Sequence, residues 1–301
     1  MQQDKDFIIQ EGFIPVSDIH TIYFATYGNP KGIPLLGFHG GPGGGFSTRY
    51  LNMIDLTKFY VVFFDQRGCG KSTPEGEIKN NTCQNAIDDA KLVLNRLNIK
   101  KCVVSGYSYG GVLALAFAMK FKPMVISIYV SSVCIPANLN KVFFEQDNSL
   151  YQEYKDFLNV IKTTDSNLLF YEYENCSLAR KKEIVVAIVN WELALFQLDN
   201  KQEITIEQVD NRLIYAKRLF LSYVAQNYFN LGKWMLQKIN NLSDIPINIV
   251  QGARDKLTPV SSAYEIQKIL PHSNIVITPN AGHVGRVITR RFYDEVNTFT
   301  R

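Results

Sequence analysis

Ser108 stands in the middle of a G-x-S-x-G segment, residues 106–110, whose composition suits a nucleophile. The β-branched apolar run before it, residues 101–105, predicts a buried strand, and the apolar run 111–118 predicts a helix. So tight a turn needs both glycines, because a Cβ at either position would collide with the neighbouring elements. It would hold the hydroxyl out above a helix N-terminus that stabilises an oxyanion. The segment therefore predicts a nucleophile elbow.

A nucleophilic serine needs a base to take its proton and a carboxylate to orient that base. Asp255 follows a predicted strand at 246–250, and His283 follows another at 274–278. Strands of a parallel sheet end at one edge, so these side chains would meet Ser108 there, and the chain order serine, aspartate, histidine suits this elbow. Each has an ordinary alternative, a turn acid or a loop histidine. Together with the elbow they predict a catalytic triad.

A glycine-rich loop, residues 39–45, follows an early predicted strand at 33–38. Its position is that of the loop that supplies one backbone N–H of an oxyanion hole. We therefore expect the N–H groups of Gly41 and Tyr109 to bind the oxyanion. We interpret His39 as a structural residue that shapes this loop, and the peptide bond between Gly41 and the following proline as a cis bond.

The loop at 65–72 follows another predicted strand. We expect Asp65 and Arg67 to fix it by hydrogen bonds, with Cys69 near the floor of the site. Cys69 as a nucleophile is the alternative, but no histidine pattern points to it.

The elements that would position these residues are visible in the apolar pattern. Alternating runs at 7–14 and 21–25 predict an antiparallel pair at a sheet edge. Continuous apolar runs predict buried strands at 33–38, 61–64, 101–105, 125–130, 246–250 and 274–278. A helix capped by Thr82, the elbow helix and a last helix from about 290 to 300 separate or follow them. The alternation predicts an α/β fold with a mostly parallel, doubly wound sheet.

The pattern changes to helical periods between the fourth and fifth of these buried strands, with stripes at 150–161, 184–195, 206–226 and 231–239. We expect residues 136–243 to form an inserted helical cap over the carboxyl ends of the strands. Residues 1–135 and 244–301 would then form the core domain.

Composition excludes several classes of protein. The 32 basic and 28 acidic residues are spread without a long basic run, which gives no support to nucleic acid or membrane binding. The N-terminus is no secretory signal, and the longest apolar stretch, 111–119, is too short to span a bilayer. Five cysteines without a C-x-x-C pair predict reduced thiols and a cytoplasmic protein. The four histidines show no ligand spacing, so we expect no metal and no cofactor.

The H-G-G-P-G-G segment at 39–44, the D-Q-R-G-C-G-K-S segment at 65–72 and the elbow resemble those of the α/β-hydrolase proline iminopeptidases, also called prolyl aminopeptidases. The G-x-x-D segment ending at Asp255, followed by Leu-Thr-Pro at 257–259, and the Gly-His pair ending at His283 fit as well. The resemblance extends over the whole chain and implies the α/β-hydrolase fold.

In that family, carboxylates of the cap hold the free α-amine of the substrate. The resemblance makes Glu192, in a Trp-Glu pair, the candidate amine anchor; the alternative is a solvated side chain on a cap helix. The chain departs from the family pattern in two places. Ala225 stands where a second glutamate is expected, and the elbow carries Tyr107 and Tyr109 where Gly and Trp are usual. Both departures concern substrate preference rather than hydrolysis.

The resemblance and the motifs together predict a serine hydrolase that releases an N-terminal residue, preferably proline, from short peptides or amides. The cap would cover a small pocket. The alternative is an esterase or amidase without a free-amine requirement, and a third is a non-catalytic binding protein built on the same fold. Natural substrate and oligomeric state are left open.

Overall fold

An eight-stranded sheet forms the centre of the molecule in the computed structural model, which describes residues 8–135, 143–144, 148–198, 202–226 and 228–300. The strand order is β1-β2-β4-β3-β5-β6-β7-β8. The strands are β1 (Ile8–Pro15), β2 (Thr21–Gly28), β3 (Ile33–Phe38), β4 (Phe59–Phe64), β5 (Cys102–Tyr107), β6 (Val125–Ser131), β7 (Ile247–Gly252) and β8 (Asn274–Thr278). β1 pairs antiparallel with β2 at the edge and β2 with β4, whereas β3 to β8 run parallel. The predicted strands and the edge pair are confirmed.

Helices cover both faces of this sheet. They are α1 (Cys83–Arg96), α2 (Tyr109–Lys120), α3 (Tyr151–Ile161), α4 (Ser166–Asn175), α5 (Leu178–Phe196), α6 (Asn211–Gln226), α7 (Tyr228–Lys238), α8 (Val260–Ile269) and α9 (Arg286–Thr298). α1 begins where predicted, because the Thr82 hydroxyl accepts a hydrogen bond from the backbone N–H of Asn85 at 3.1 Å.

Two apolar clusters lie on opposite faces of the sheet. The larger one contains the buried residues of α1 and α2 together with those of the helices between β6 and β7. The other contains Ile288, Phe292 and Val296 of α9 against alternate residues of the strands. Continuous apolar strands such as β5 suit this arrangement, because both of their faces are covered.

The region between β6 and β7 is helical, as its periodicity indicates, although residues 136–142 lie outside the described residues. α4 was not predicted, because its apolar residues at 168–171 form a run instead of a stripe. α6 begins at Asn211, not at 206, since the Asp210 carboxylate accepts from the N–H of Leu213 at 2.9 Å and starts the helix there. The division into core and cap domains stays a prediction.

Two further helix limits differ from their predictions. α7 begins at Tyr228, before the predicted 231, and ends at Lys238, where a short 3₁₀ turn continues the chain. α9 runs from Arg286 to Thr298 and so begins four residues before the predicted start at 290. Both differences lie in helix ends, where the apolar period gives no signal.

Candidate active site

Ser108 lies at the sharp turn between β5 and α2. Its backbone has φ 55° and ψ −124°, a conformation that non-glycine residues rarely adopt. The neighbouring glycines are required sterically: a Cβ at Gly106 would meet the backbone of Gly110, and a Cβ at Gly110 the backbone of Phe38. The turn therefore has the backbone geometry expected of a nucleophile elbow.

The structure brings Ser108, Asp255 and His283 together. The Ser108 Oγ lies 2.9 Å from His283 Nε2, and His283 Nδ1 lies 2.8 Å from Asp255 Oδ2. Asp255 and His283 are 3% and 1% exposed. Because a buried carboxylate faces Nδ1, that nitrogen carries the proton and Nε2 is free to accept one from the serine. This arrangement is able to perform nucleophilic acyl transfer.

The Asp255 carboxylate is held by four further donors. Oδ1 accepts from the backbone N–H groups of Leu257 at 3.0 Å and Thr258 at 2.8 Å. Oδ2 accepts from the Thr258 hydroxyl at 2.6 Å and from the Gln251 side-chain amide at 3.0 Å. These donors fix the orientation of the carboxylate toward His283. Thr258, three residues after the aspartate, had a local turn signal in the sequence; Gln251 had none.

The carbonyl group of His283 has two side-chain donors. The Tyr107 hydroxyl donates to this oxygen, and the Ser132 hydroxyl donates to it at 2.9 Å. Burial raises the pKa of Tyr107 well above its usual value, so its hydroxyl remains protonated and able to donate. Tyr107 is one of the two elbow departures, and its contact with His283 has no signal in the local sequence.

The carboxyl end of α5 docks onto both loops that carry the aspartate and the histidine. The Phe196 carbonyl accepts from the N–H of His283 at 2.8 Å, and the Leu195 carbonyl from the N–H of Lys256 at 3.0 Å. The Phe196 ring stacks on the imidazole with 4.8 Å between centroids. A Cβ at Gly282 would meet the Phe196 carbonyl, so a glycine is needed for this approach. The helix thereby fixes the imidazole from one side.

The glycine-rich loop lies beside the elbow. Gly41 and Tyr109, the predicted oxyanion residues, both line the cavity that contains Ser108, and their role stays a proposal. The peptide bond between Gly41 and Pro42 is cis, as predicted. His39 accepts from the N–H of Gln66 through Nε2 at 3.0 Å and donates from Nδ1 to the Gly40 carbonyl at 2.8 Å. Burial lowers the pKa of His39, which agrees with a neutral, structural imidazole.

Gly43 of the same loop packs against α6. Its φ is +97°, and a Cβ there would lie 2.6 Å from the Cα and the carbonyl oxygen of Ala216 in α6. The glycine at 43 is therefore required for the close packing of this loop against α6.

The loop at 65–72 is fixed by the residues predicted for it. The Asp65 carboxylate accepts from the N–H groups of Phe46 and Lys71, each at 2.8 Å. Arg67 makes a buried bidentate ion pair with Asp89 at 2.7 and 2.8 Å. Cys69 does not line the cavity among the described residues, and burial raises the pKa of its thiol to about 12. Its thiolate is therefore scarce at neutral pH, which argues against a nucleophilic role.

The site opens into a cavity of about 930 Å³. This volume is at the upper end of the range for ligand sites, so the expectation of a small pocket is wrong for the cavity as a whole. The region between β6 and β7 contributes three aromatic rings to its lining, those of Phe143, Phe196 and Phe220.

Glu192 lines this cavity and is not a solvated side chain. It forms an ion pair with Lys217 of α6, and the two side chains are only 13% and 12% exposed. Ala225, at the position of the expected second glutamate, packs against the apolar core and is not among the described lining residues. Lys217 was not predicted, because nothing in the local sequence shows that α5 and α6 place it opposite Glu192.

Two features of the described ranges bear on other functions. Within them, no group of three or more histidine, cysteine or acidic side chains is placed to hold a metal ion. None of the helices in the described part of the chain is both long and apolar enough to cross a bilayer.

Comparison with known proteins gives a family that agrees with this geometry. The family model described as the alpha/beta hydrolase fold matches residues 33–285. The proline iminopeptidase of Neisseria meningitidis serogroup A is 30% identical over 286 residues, which cover 90% of this chain and 89% of that protein. The chain belongs to the proline iminopeptidase family of α/β hydrolases. Another relative in this family, the probable proline iminopeptidase of Leptolyngbya boryana, is 29% identical over 283 residues, or 91% and 88% of the two chains.

Solved structures support the fold of this family member. A proline iminopeptidase-related protein from Thermus thermophilus has a TM-score of 0.59 at 19% identity, with 96% of each chain covered. A haloalkane dehalogenase variant from Bradyrhizobium elkanii has a TM-score of 0.68 at 14% identity, with 96% and 94% covered. At these identities the likeness concerns the α/β hydrolase fold alone. The chain is accordingly a hydrolase by family.

Proposed function

We propose that this hydrolase forms an acyl-enzyme at Ser108 and releases an N-terminal residue, preferably proline, from short peptides or amides in the cytoplasm. The observation that carries the proposal is the hydrogen-bonded chain from Ser108 through His283 to Asp255, with distances of 2.9 and 2.8 Å. The family relationship supports the choice of substrate, since relatives named proline iminopeptidase match over most of the chain.

In this mechanism the Ser108 hydroxyl attacks the substrate carbonyl while His283 Nε2 takes its proton. Asp255 keeps His283 in the required tautomer and stabilises the imidazolium. The backbone N–H groups of Gly41 and Tyr109 would bind the oxyanion, with the N-terminus of α2 contributing its dipole. The imidazolium then protonates the leaving amine, and water hydrolyses the acyl-enzyme by the same proton route.

A second candidate is an esterase or amidase without a free-amine requirement. The ion pair between Glu192 and Lys217 favours it, because the carboxylate already has a counter-ion. So does Ala225, which offers no second carboxylate.

A substrate panel separates the two candidates. It compares prolyl, alanyl and N-blocked prolyl arylamides with simple aryl esters, with Ser108→Ala as the control for enzyme-independent hydrolysis. The aminopeptidase proposal expects cleavage of the free prolyl amide and loss of cleavage on N-blocking. Ester cleavage with inert prolyl amides would remove it in favour of the second candidate. Failure of a fluorophosphonate to label Ser108 would remove both and favour a binding protein.

A further inference from the structure

The charges around the cavity are unusual for a site that must hold a free amine. Among the described residues that line it, Glu192 is the only carboxylate, whereas Arg49, Lys217 and Arg286 are cations. A substrate ammonium has to exchange water for an opposite charge when it is buried. In the described part of the cavity wall, Glu192 is the side chain that could supply this charge.

The carboxylate of Glu192 is already paired with Lys217. The lysine ammonium is paired with Oε2 of the carboxylate and lies 5.3 Å from the centroid of the Phe220 ring. Its neighbour Arg218 is directed elsewhere, to a bidentate pair with Glu174 at 2.8 and 2.6 Å.

The backbone that carries Lys217 is held on two sides. Ala216 packs on Gly43 of the glycine-rich loop. The carbonyl of Ile214 accepts from the Tyr173 hydroxyl at 2.8 Å. The lysine is therefore positioned by helix packing, with its charged end inside the substrate cavity.

We propose that Lys217 is a specificity-determining residue, an internal ammonium that competes with a substrate α-amine for Glu192. A substrate amine that pairs with Glu192 gains only the difference in free energy between its own ion pair and the Glu192–Lys217 pair that it displaces. It also leaves the Lys217 ammonium without its partner. An uncharged acyl group of the same shape does not meet this competition. Lys217 thus lowers the preference of the site for amine-bearing substrates. This inference deepens the proposed function and rests on it.

The test uses two substrates that differ in one ring position: the L-prolyl amide and the cyclopentanecarbonyl amide of the same arylamine. The readout is the ratio of their kcat/KM values, so an effect common to both substrates cancels. Lys217→Met keeps the apolar stem and removes the charge. We expect it to raise the prolyl preference by about 10- to 100-fold, the range for a hydrogen bond to a charged group. Glu192→Gln should lower the ratio, and the double variant should bring it close to the value for an uncharged pocket.

A ratio in Lys217→Met within twofold of wild type would overturn the proposal, as would an equal rise in the double variant. Lys217→Met leaves a carboxylate with little solvent, so Lys217→Gln, which keeps a neutral donor toward Glu192, is made in parallel. We expect it to raise the ratio by a smaller factor. A ratio unchanged in this folded variant would count against the proposal as well.

Failure of the proposed function is recognised separately. Calorimetric binding of L-prolinamide and cyclopentanecarboxamide needs no turnover, and the Kd ratio tests Lys217 even where neither arylamide is cleaved. Loss of fluorophosphonate labelling would refute the serine mechanism. A Kd ratio that Lys217→Met leaves unchanged would refute the competition, whatever the labelling result.

Discussion

Gly282→Ala tests whether the docking of α5 positions the imidazole. Gly282 does not have a positive φ, so alanine is allowed by the backbone, and the obstacle is contact alone. A Cβ there would lie 2.7 Å from the Gln197 carbonyl oxygen and closer to that of Phe196. Both are backbone atoms that no rotamer change moves away. Relieving the 2.7 Å contact to about 3.5 Å alone requires a shift of about 0.8 Å, and the closer contact with the Phe196 oxygen requires a larger one.

The shift would act directly on the hydrogen bond between the His283 N–H and the Phe196 carbonyl, and so on the 2.9 Å approach of His283 Nε2 to Ser108. A misplacement of about 1 Å costs about 100-fold in rate, so we expect kcat/KM for an aryl ester to fall by about 100-fold or more. The rate of fluorophosphonate labelling should fall in parallel, because it depends on the same proton transfer.

The matched control is Gly12→Ala in edge strand β1, which adds the same methyl group against the edge of the Phe24 ring at 3.2 Å, away from the site. It should keep wild-type kinetics. Circular dichroism and urea unfolding of both variants separate a local shift from loss of folding. A folded Gly282→Ala variant with kcat/KM within threefold of wild type would refute the positioning role of α5.

Three further predictions concern neighbouring contacts. Tyr107→Phe removes one of two donors to the His283 carbonyl and should lower kcat about 3- to 10-fold with KM little changed, the value of one hydrogen bond; a change in KM alone would contradict this. Arg67→Met leaves the carboxylate of Asp89 buried and unpaired and should lower the free energy of unfolding by about 3 kcal/mol or more. The double variant Arg67→Met/Asp89→Leu should recover part of this loss. If urea titrations give the single and double variants the same free energy of unfolding, the pairing is refuted. Burial lowers the pKa of His39, so the unfolded chain takes up a proton that the folded one refuses, and stability should fall as the pH drops below about 6.5. In His39→Gln the decrease of Tm with falling pH should be shallower than in wild type. Parallel curves of Tm against pH for the two proteins would count against this prediction.

The candidate triad was predictable because its members stand directly after strands of one parallel sheet. Ser108 follows β5, Asp255 comes three residues after β7 ends and His283 five residues after β8 ends. The carboxyl ends of parallel strands share an edge, so sequence position converts into spatial proximity without knowledge of packing. Ordinary strand patterns thus carry most of the information about the reacting side chains.

The surroundings of these side chains were not predictable in the same way. The pair of Glu192 and Lys217 depends on how α5 and α6 lie against each other, and a charged residue on a helix reads as solvent-facing in the sequence. The two donors to the His283 carbonyl come from the ends of β5 and β6, at positions that local chemistry does not mark. The control of substrate preference that we propose lies at this level, whereas the motifs concern hydrolysis.

The contact of Gly43 with Ala216 has a consequence for engineering. A side chain at 43 would press on the residue next to Lys217, so a library that diversifies the glycine-rich loop alone would also displace the ammonium in the pocket. A screen for faster variants would then also select variants with altered substrate preference. Randomising position 43 together with 216 and 217 would let the two traits be selected separately.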